Sequence, residues 1–306
     1  MNPARSLSLQ VIERGWLSSN QVVFADPDGA VAVVDTDYAS QVDLTVALID
    51  RVLAGRPLTR IVNTHLHSDH VGGNADLQRR HAVRTLIPPG HAAAVERWDM
   101  DVLTFEATGQ QCARFGYDGV LDAGTAIMLG GRDWQVLAAP GHDPHMVMLF
   151  EPIERVLISA DALWESGFGA IFPEIEGESG FAEQRAVLEL IRVHQPRWVI
   201  PGHGAPFTDV GGALTRAHAR LDALAGSPER NARHVLKVLV KFLLLQVQAI
   251  SRPALLARLS QARYVALVHR RYFAAMPFDA MIDRTVAELC GSGAAALQND
   301  QIVNVG

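Results

Sequence analysis

The chain has 306 residues, of which 49% are hydrophobic and 20% are charged, so we expect a packed core rather than an intrinsically disordered chain. Its 27 basic and 33 acidic residues give a net charge of −6, which argues against a protein whose whole surface binds nucleic acid. Cys112 and Cys290 have no finger or C-x-x-C spacing, which argues against a disulfide framework or a cysteine zinc site.

Strand-like and helix-like segments alternate along residues 1–225, and this favours sheets covered by helices. The first two strands flank Asp26-Pro27-Asp28-Gly29, which is typical of a hairpin turn. In chain order, strands are predicted at 21–25, 30–35, 60–64, 126–129, 134–138, 146–150, 156–158 and 198–200. Helices are predicted at 43–54, 182–194 and 213–225, where apolar residues recur at helical spacing.

Residues 226–306 have a different character. They hold ten Lys/Arg and five Asp/Glu, a net charge of +5, whereas residues 1–225 have a net charge of −11. Helices are predicted at 230–250, 253–262, 263–274 and 278–289, before a hairpin within 295–305. Because Ala225-Gly226-Ser227-Pro228 interrupts the helical pattern, we expect two domains, 1–225 and 226–306, the second small, helical and winged-helix-like. The basic character fits either a solvated helix surface or contact with an anionic substrate.

No stretch reaches the roughly 18 uninterrupted apolar residues of a membrane span. The nearest, 235–250, is broken by Lys237 and Lys241. The first sixteen residues lack the long apolar stretch of a signal peptide, since Gln10 and Glu13 interrupt it. We therefore expect a cytoplasmic protein with no membrane partner.

The strongest chemical signal is the segment His65-Leu66-His67-Ser68-Asp69-His70. Imidazole and carboxylate groups are the nitrogen and oxygen ligands that suit a cation such as zinc. Four such side chains so close in sequence cannot all bind one small ion without strain, which favours two ions. His65 and His67 share a face as the preceding strand ends, and Asp69 and His70 lie on the following turn.

Three more ligand-type side chains each follow a predicted strand. They are His142 after 134–138, Asp161 after 156–158, and His203 after 198–200. Loops at strand ends are where protein scaffolds place functional groups. Seven ligands in total suit two ions with positions left for water and substrate.

These ordered motifs, H-L-H-S-D-H, P-G-H, S-A-D and P-G-H-G, resemble those of the metallo-β-lactamase superfamily over about residues 60–205. The resemblance implies an α/β (α+β) fold, an αββα sandwich with the site along one edge of the paired sheets. It further implies a first metal on His65, His67 and His142, a second on Asp69, His70 and His203, and a bridging Asp161. Asp35 resembles a family position close to the site. The basic tail resembles the winged-helix-like C-terminal domain of some of these hydrolases.

Two motifs depart from the family pattern. The segment from Pro140 to His145, P-G-H-D-P-H, is one residue shorter than P-G-H-T-P-G-H, so we expect His145 to make only local hydrogen bonds. The P-G-H-G motif at His203 differs from that of glyoxalase II, so we interpret the chain as glyoxalase II-like or as a general hydrolase of the superfamily. The segment 164–173, which follows Asp161, could overhang the site or belong to the core.

The leading functional hypothesis is a two-metal hydrolase that attacks a small-molecule thioester, ester or lactone with a metal-bridging hydroxide. Asp69 is the expected catalytic residue, which would orient the hydroxide and relay its proton. The expected cofactors are two Zn²⁺, with iron or manganese as alternatives. The absence of a G-x-S-x-G elbow agrees with a mechanism that needs no protein nucleophile.

Three alternatives remain open at this stage. One is a phosphodiesterase or ribonuclease with the same two metals, although the net charge of −6 argues against a nucleic-acid partner. Another is a persulfide dioxygenase with one iron on His65, His142 and Asp161. A metal-stabilised binding protein is disfavoured because all seven ligand types are present. The oligomeric state is open, and a homodimer is compatible with the sequence.

Overall fold

A computed structural model of the chain describes residues 7–305. Residues 1–6, which belong to the segment considered above for a signal peptide, and Gly306 lie outside the described residues. The strands are β1 Leu9–Ile12, β2 Gln21–Ala25, β3 Val31–Val34, β4 Leu58–Val62, β5 Arg84–Ile87, β6 Gly119–Val120, β7 Ala126–Leu129, β8 Arg132–Ala138, β9 Val147–Glu151, β10 Val156–Ala160, β11 Trp198–Pro201, β12 Ala249–Ser251, β13 Ala295–Gln298 and β14 Gln301–Asn304. The helices are α1 Val42–Leu53, α2 Ser68–Val71, α3 Asn74–Arg80, α4 Ala92–Arg97, α5 Phe105–Thr108, α6 Pro173–Glu176, α7 Phe181–His194, α8 Val210–Ala225, α9 Pro228–Val247, α10 Arg252–Leu259, α11 Arg263–Tyr272 and α12 Phe278–Gly291.

Two sheets form the centre of the first two thirds of the chain. The first has the order β1-β2-β3-β4-β5-β6, antiparallel from β1 to β3 and parallel from β3 to β6. The second has the order β11-β10-β9-β8-β7, with β10 and β11 parallel and the other pairs antiparallel. The predicted hairpin around residues 26–29 joins β2 and β3.

The alternation of side chains along the strands determines how the layers pack. In β2, Val22 and Phe24 point toward the second sheet, where they join a core that includes Trp134, whereas Val23 faces the opposite way. Because both faces of each sheet are covered, the central strands are buried along their whole length and mostly apolar rather than alternately polar.

Helices cover the outer face of each sheet. Helices α1 and α3 pack on the first sheet through residues such as Ile49 and Leu77. Helices α7 and α8 pack on the second sheet through Leu188 and Leu221. The layers are therefore helix, sheet, sheet and helix, which confirms the predicted αββα sandwich.

The C-terminal part is a helical module with a small sheet in the order β12-β14-β13. Its hairpin turns at Asn299 and Asp300, both of which have the positive φ that a two-residue hairpin favours. The module's core also takes in Ala107, Ala170 and Ile175 from the sandwich, so the two parts share buried contacts. Within residues 7–305, no helix has the length and apolar character needed to cross a membrane.

Candidate metal centre

The strand directions bring three of the predicted ligand residues to one edge of the second sheet. Strand β9 is antiparallel to both β8 and β10, and β11 is parallel to β10, so β8, β10 and β11 all end at the same edge. His142, Asp161 and His203 follow these three ends. The first sheet contributes the histidine-rich segment 65–70, which follows β4 and runs into α2.

All seven predicted ligand residues converge at this edge. Their ligand atoms form three sets in which every atom lies within 4.8 Å of the others: His65, His67 and His142; Asp69, His70 and His203; and His65, His70 and Asp161. Five of the seven residues are buried, and His67 and Asp69 are partly exposed. The first two sets match the division into two metal positions that the family resemblance implies.

Hydrogen bonds at the rear of two rings direct their other nitrogen atoms into the centre. His70 Nδ1 lies 2.8 Å from Asp35 Oδ2, and His142 Nδ1 lies 2.6 Å from the carbonyl oxygen of Ala170. With the protons assigned to Nδ1 by these acceptors, the Nε2 atoms are lone-pair donors. Both Nε2 atoms are buried and have no hydrogen-bond partner within the described residues. Buried nitrogen atoms of this kind fit a bound cation, because leaving them unsatisfied costs free energy.

Asp161 lies between the two sets and presents one oxygen to each. Its Oδ2 is 3.4 Å from His142 Nε2, whereas its Oδ1 is 3.6 Å from His70 Nε2 and 3.8 Å from His203 Nε2. The Trp164 indole donates a hydrogen bond of 3.2 Å to the same Oδ1. The carboxylate is therefore held in an orientation that can serve both positions.

Asp35 supports the centre from behind, as the family resemblance implies. Its carboxylate accepts hydrogen bonds from the Thr64 backbone N–H at 2.8 Å and from the Thr64 hydroxyl at 2.7 Å, besides its contact with His70. Hydrogen bonds of this kind fix the ring orientation of a ligating histidine.

The electrostatics of the cluster favour ionised carboxylates and neutral rings at His65 and His67. Burial, reinforced by the neighbouring histidines, lowers the pKa of His67 to about 4 and that of His65 well below its usual value. Burial works to raise the pKa of Asp161, but His203 and His70 outweigh it and hold that pKa well below the ordinary value. Burial likewise opposes charge on His70, yet Asp35 and Asp161 raise its pKa well above normal. A cation between these groups would replace that proton.

The backbone around the site has features that sequence patterns did not reveal. Asp35 and Ala160 both have positive φ, 55° and 47°, and Ala160 immediately precedes Asp161 at an irregularity in β10. Gly202 is required by close approach, because a Cβ there would collide with Asp161 Oδ1. The positive φ of these two residues could not be predicted from their residue types, because only glycine adopts that conformation routinely.

A cavity of about 450 Å³ opens beside the centre. Trp16 stacks on the His203 ring, with centroids 5.6 Å apart and planes 8° apart, and remains 54% exposed. Within the segment 164–173, Trp164 and Phe172 line the cavity, whereas Phe168 and Ile171 are core residues. Part of that segment therefore overhangs the site, and part of it belongs to the core. The position of Trp16 beside the site could not be predicted from the sequence, because it lies in an irregular loop before β2.

His145 lies apart from the three sets of ligand atoms found in the described part of the chain. Its backbone N–H donates to Asp143 Oδ1 at 2.7 Å, and its ring contacts that of His91. The expected local role thus agrees with its position.

Comparison with known proteins identifies relatives over much of the chain. The sequence profile of the metallo-beta-lactamase superfamily matches residues 14–203. A hydroxyacylglutathione hydrolase from Nitrobacter winogradskyi is 35% identical over 153 residues, which are 49% of this chain and 50% of that protein. The chain thus spans about half the length of the curated relatives it matches.

Solved structures extend the similarity of fold to nearly the whole chain. A beta-lactamase domain protein from Burkholderia ambifaria, 21% identical, covers 97% of this chain and 91% of its own with a TM-score of 0.58. A metallo-beta-lactamase family protein from Thermus thermophilus, 18% identical, covers 97% and 98% with a TM-score of 0.55. At these identities the similarity establishes the fold alone.

Proposed function

The chain belongs to the metallo-β-lactamase superfamily, and from this premise we propose that it is a dinuclear metal-dependent hydrolase of small-molecule thioesters, esters or lactones. The observation that carries the proposal is the pair of three-residue ligand sets with Asp161 between them, one carboxylate oxygen facing each. The curated relatives named hydroxyacylglutathione hydrolase support thioesters as the first substrates to test.

We assign the ligands by their grouping. His65, His67 and His142 would hold one cation, Asp69, His70 and His203 would hold the other, and Asp161 would contact both. The mixed nitrogen and oxygen donors suit zinc, and iron or manganese would also be accepted. When bound, such cations lower the pKa of water from about 15.7 to near 7 and polarise a substrate carbonyl.

Asp69 is the group best placed to move a proton. It lines the cavity, its side chain is 15% exposed, and its Oδ2 is 3.1 Å from His203 Nε2. In this position the carboxylate can accept the proton of an attacking water and return it to the leaving group. We therefore propose Asp69 as both ligand and proton relay.

The remaining walls orient the substrate and exclude water. Phe172 packs its ring against those of His67 and His142, at centroid distances of 5.7 and 5.9 Å. The ring of Tyr264 also contacts that of Phe172, with centroids 5.3 Å apart. These aromatic side chains present an apolar surface directly beside the ligand sets, which suits an acyl group more than a polar chain.

The experiment counts metal by mass spectrometry and measures turnover of thioesters, lactones, β-lactams and phosphodiesters by zinc- and iron-loaded protein. We expect about two metals per chain and thioester, ester or lactone hydrolysis. Asp161→Ala and His142→Ala should lose metal and activity while the fold is retained, and His145→Ala is the matched control. One iron per chain together with oxygen uptake would refute this proposal in favour of the persulfide dioxygenase. Turnover of phosphodiesters alone would instead indicate a phosphodiesterase.

A further inference from the structure

The cavity has a second wall, remote in sequence from the seven ligand residues, that carries positive charge. Arg220 comes from α8, and His234 and Lys237 come from α9. Apolar residues of α9, Val238 and Phe242, line the same cavity. A single space is therefore bounded by the candidate metal centre, by apolar side chains and by cationic ones.

The Arg220 guanidinium is held in a fixed position. Its Cζ lies 5.1 Å from the centroid of the Phe168 ring, and its Nη2 donates to His234 Nε2 at 2.7 Å. A Cβ at Gly167 would lie 2.6 Å from Arg220 Nη1, so this glycine makes room for the guanidinium. The protein thus holds the side chain in place with neutral partners.

Within residues 7–305, no carboxylate compensates for the partial burial of the Arg220 charge. Burial alone lowers its pKa, with no acidic group acting in the opposite direction. Burial and the charge of Arg220 lower the pKa of His234 to about 3, so the acceptor ring is neutral. A partly buried cation without a counter-ion carries a desolvation cost, and an anionic ligand would relieve that cost.

Lys237 adds to the excess of positive charge. Its Nζ lies 3.6 Å from Glu288 Oε2, but the same carboxylate also pairs with Arg233 and, at 3.5 Å, with Arg284. One negative charge is therefore shared among three cations. Lys241, by contrast, is committed to the C-terminal hairpin through hydrogen bonds to Ala294, Asn304 and Val305, and we leave it out of the site.

We propose that Arg220 and Lys237 form an anion-binding subsite, and that the substrate joins its scissile acyl bond through an apolar segment to a carboxylate or phosphate group. The proposal rests on the hydrolase function proposed above. The planar fork of Arg220 can bind either anion with two parallel hydrogen bonds, and Lys237 supplies a second, mobile charge. The apolar side chains between the two ends would contact the connecting segment of the substrate.

The kinetic test uses thioesters that differ in whether, and at which end, they carry an anion. The glutaryl thioester of N-acetylcysteamine carries the anion on the acyl part, and the pentanoyl thioester of phosphopantetheine carries it on the leaving group. The pentanoyl thioester of N-acetylcysteamine is the neutral substrate. We expect Arg220→Gln to raise KM for at least one anionic substrate about 10- to 100-fold, with kcat and the neutral substrate changed less than about twofold. Arg220→Lys should recover part of the loss, and Lys237→Gln should raise the same KM by a smaller factor. Arg192→Gln, which removes an equal charge from the surface, is the control.

A binding measurement separates this subsite from the proposed reaction. Calorimetry with glutarate on zinc-loaded protein should show about tenfold weaker binding by Arg220→Gln than by wild type, whether or not any thioester is turned over. If no thioester, ester or lactone is hydrolysed but this difference remains, the hydrolase function fails and the subsite stands. If Arg220→Gln and Lys237→Gln leave every KM and the glutarate affinity within about twofold of wild type, the subsite is refuted. Should Arg220→Gln not fold, Lys237→Gln decides, because its side chain is 38% exposed.

Discussion

Replacing Trp164 with phenylalanine tests how the chain holds its candidate bridging carboxylate. The indole Nε1 donates to Asp161 Oδ1 at 3.2 Å, while the ring contacts those of Trp16 and His203. Trp164→Phe keeps an aromatic ring in this cluster but removes the donor. Because Oδ1 faces His70 and His203, the change should act on the second metal position more than on the first.

The expected size follows from the geometry of that hydrogen bond. A hydrogen bond to a charged group contributes about 1.5–3 kcal/mol, and a length of 3.2 Å places this one at the low end. A loss of about 1.5 kcal/mol corresponds to about tenfold weaker binding of the second cation.

Competition with a chromophoric chelator measures both affinities. The control is Trp16→Phe, since Trp16 also stacks on His203 but makes no hydrogen bond to Asp161. We expect the control to alter either affinity less than about twofold. Equal affinities in wild type and Trp164→Phe, or an equal loss in Trp16→Phe, would refute the reasoning.

Three further predictions concern residues that are not themselves candidate ligands. Asp35→Asn tolerates the positive φ but removes the charge behind His70, so chelator competition should show about 10- to 100-fold weaker metal binding; unchanged affinity would contradict this. Burial raises the pKa of Asp37 from 3.8 to about 6. The ionised carboxylate therefore destabilises the folded protein above pH 6, and this destabilisation is absent below pH 4. Relative to wild type, Asp37→Asn should therefore gain about 3 kcal/mol in unfolding free energy between pH 4 and pH 8, measured by urea unfolding, and a gain independent of pH would be inconsistent with the assignment. Ile49→Ala should cost about 2–5 kcal/mol in the same assay without changing metal content, because Ile49 is fully buried between α1 and the first sheet; loss of metal would show that the outer core reaches the centre.

The strands that carry the centre were predictable because each is a short apolar run ended by a turn. Strand β7 has the predicted bounds 126–129, and β11 extends the predicted strand by Pro201 alone. Helix α8 begins at Val210, earlier than predicted, because Asp209 accepts a hydrogen bond from Gly212 N and caps a turn that contains two glycines. Strand β5 was missed, since its four residues gain their pairing only from distant parallel neighbours.

Some residues of the candidate site could likewise be predicted from the sequence, and others could not. The motif residues from His65 to His203 could be proposed from the sequence, because strand ends and family motifs mark them. Arg220 could not, since it lies within a regular helix and faces the cavity only through the packing of α8 against the C-terminal module. The boundary between 1–225 and 226–306 stays a prediction, although α8 ends at Ala225 and α9 begins at Pro228.

The candidate ligands and the cationic wall of the cavity come from separate stretches of the polypeptide. All seven candidate ligands lie between positions 65 and 203, whereas the opposing wall comes from position 220 onward. Under the proposed function, substitutions in the carboxy-terminal third would change substrate preference while the candidate ligands stay in place. If the chain is the proposed hydrolase, exchanging that third between homologous chains would be a direct route to new selectivity with the same ligand set.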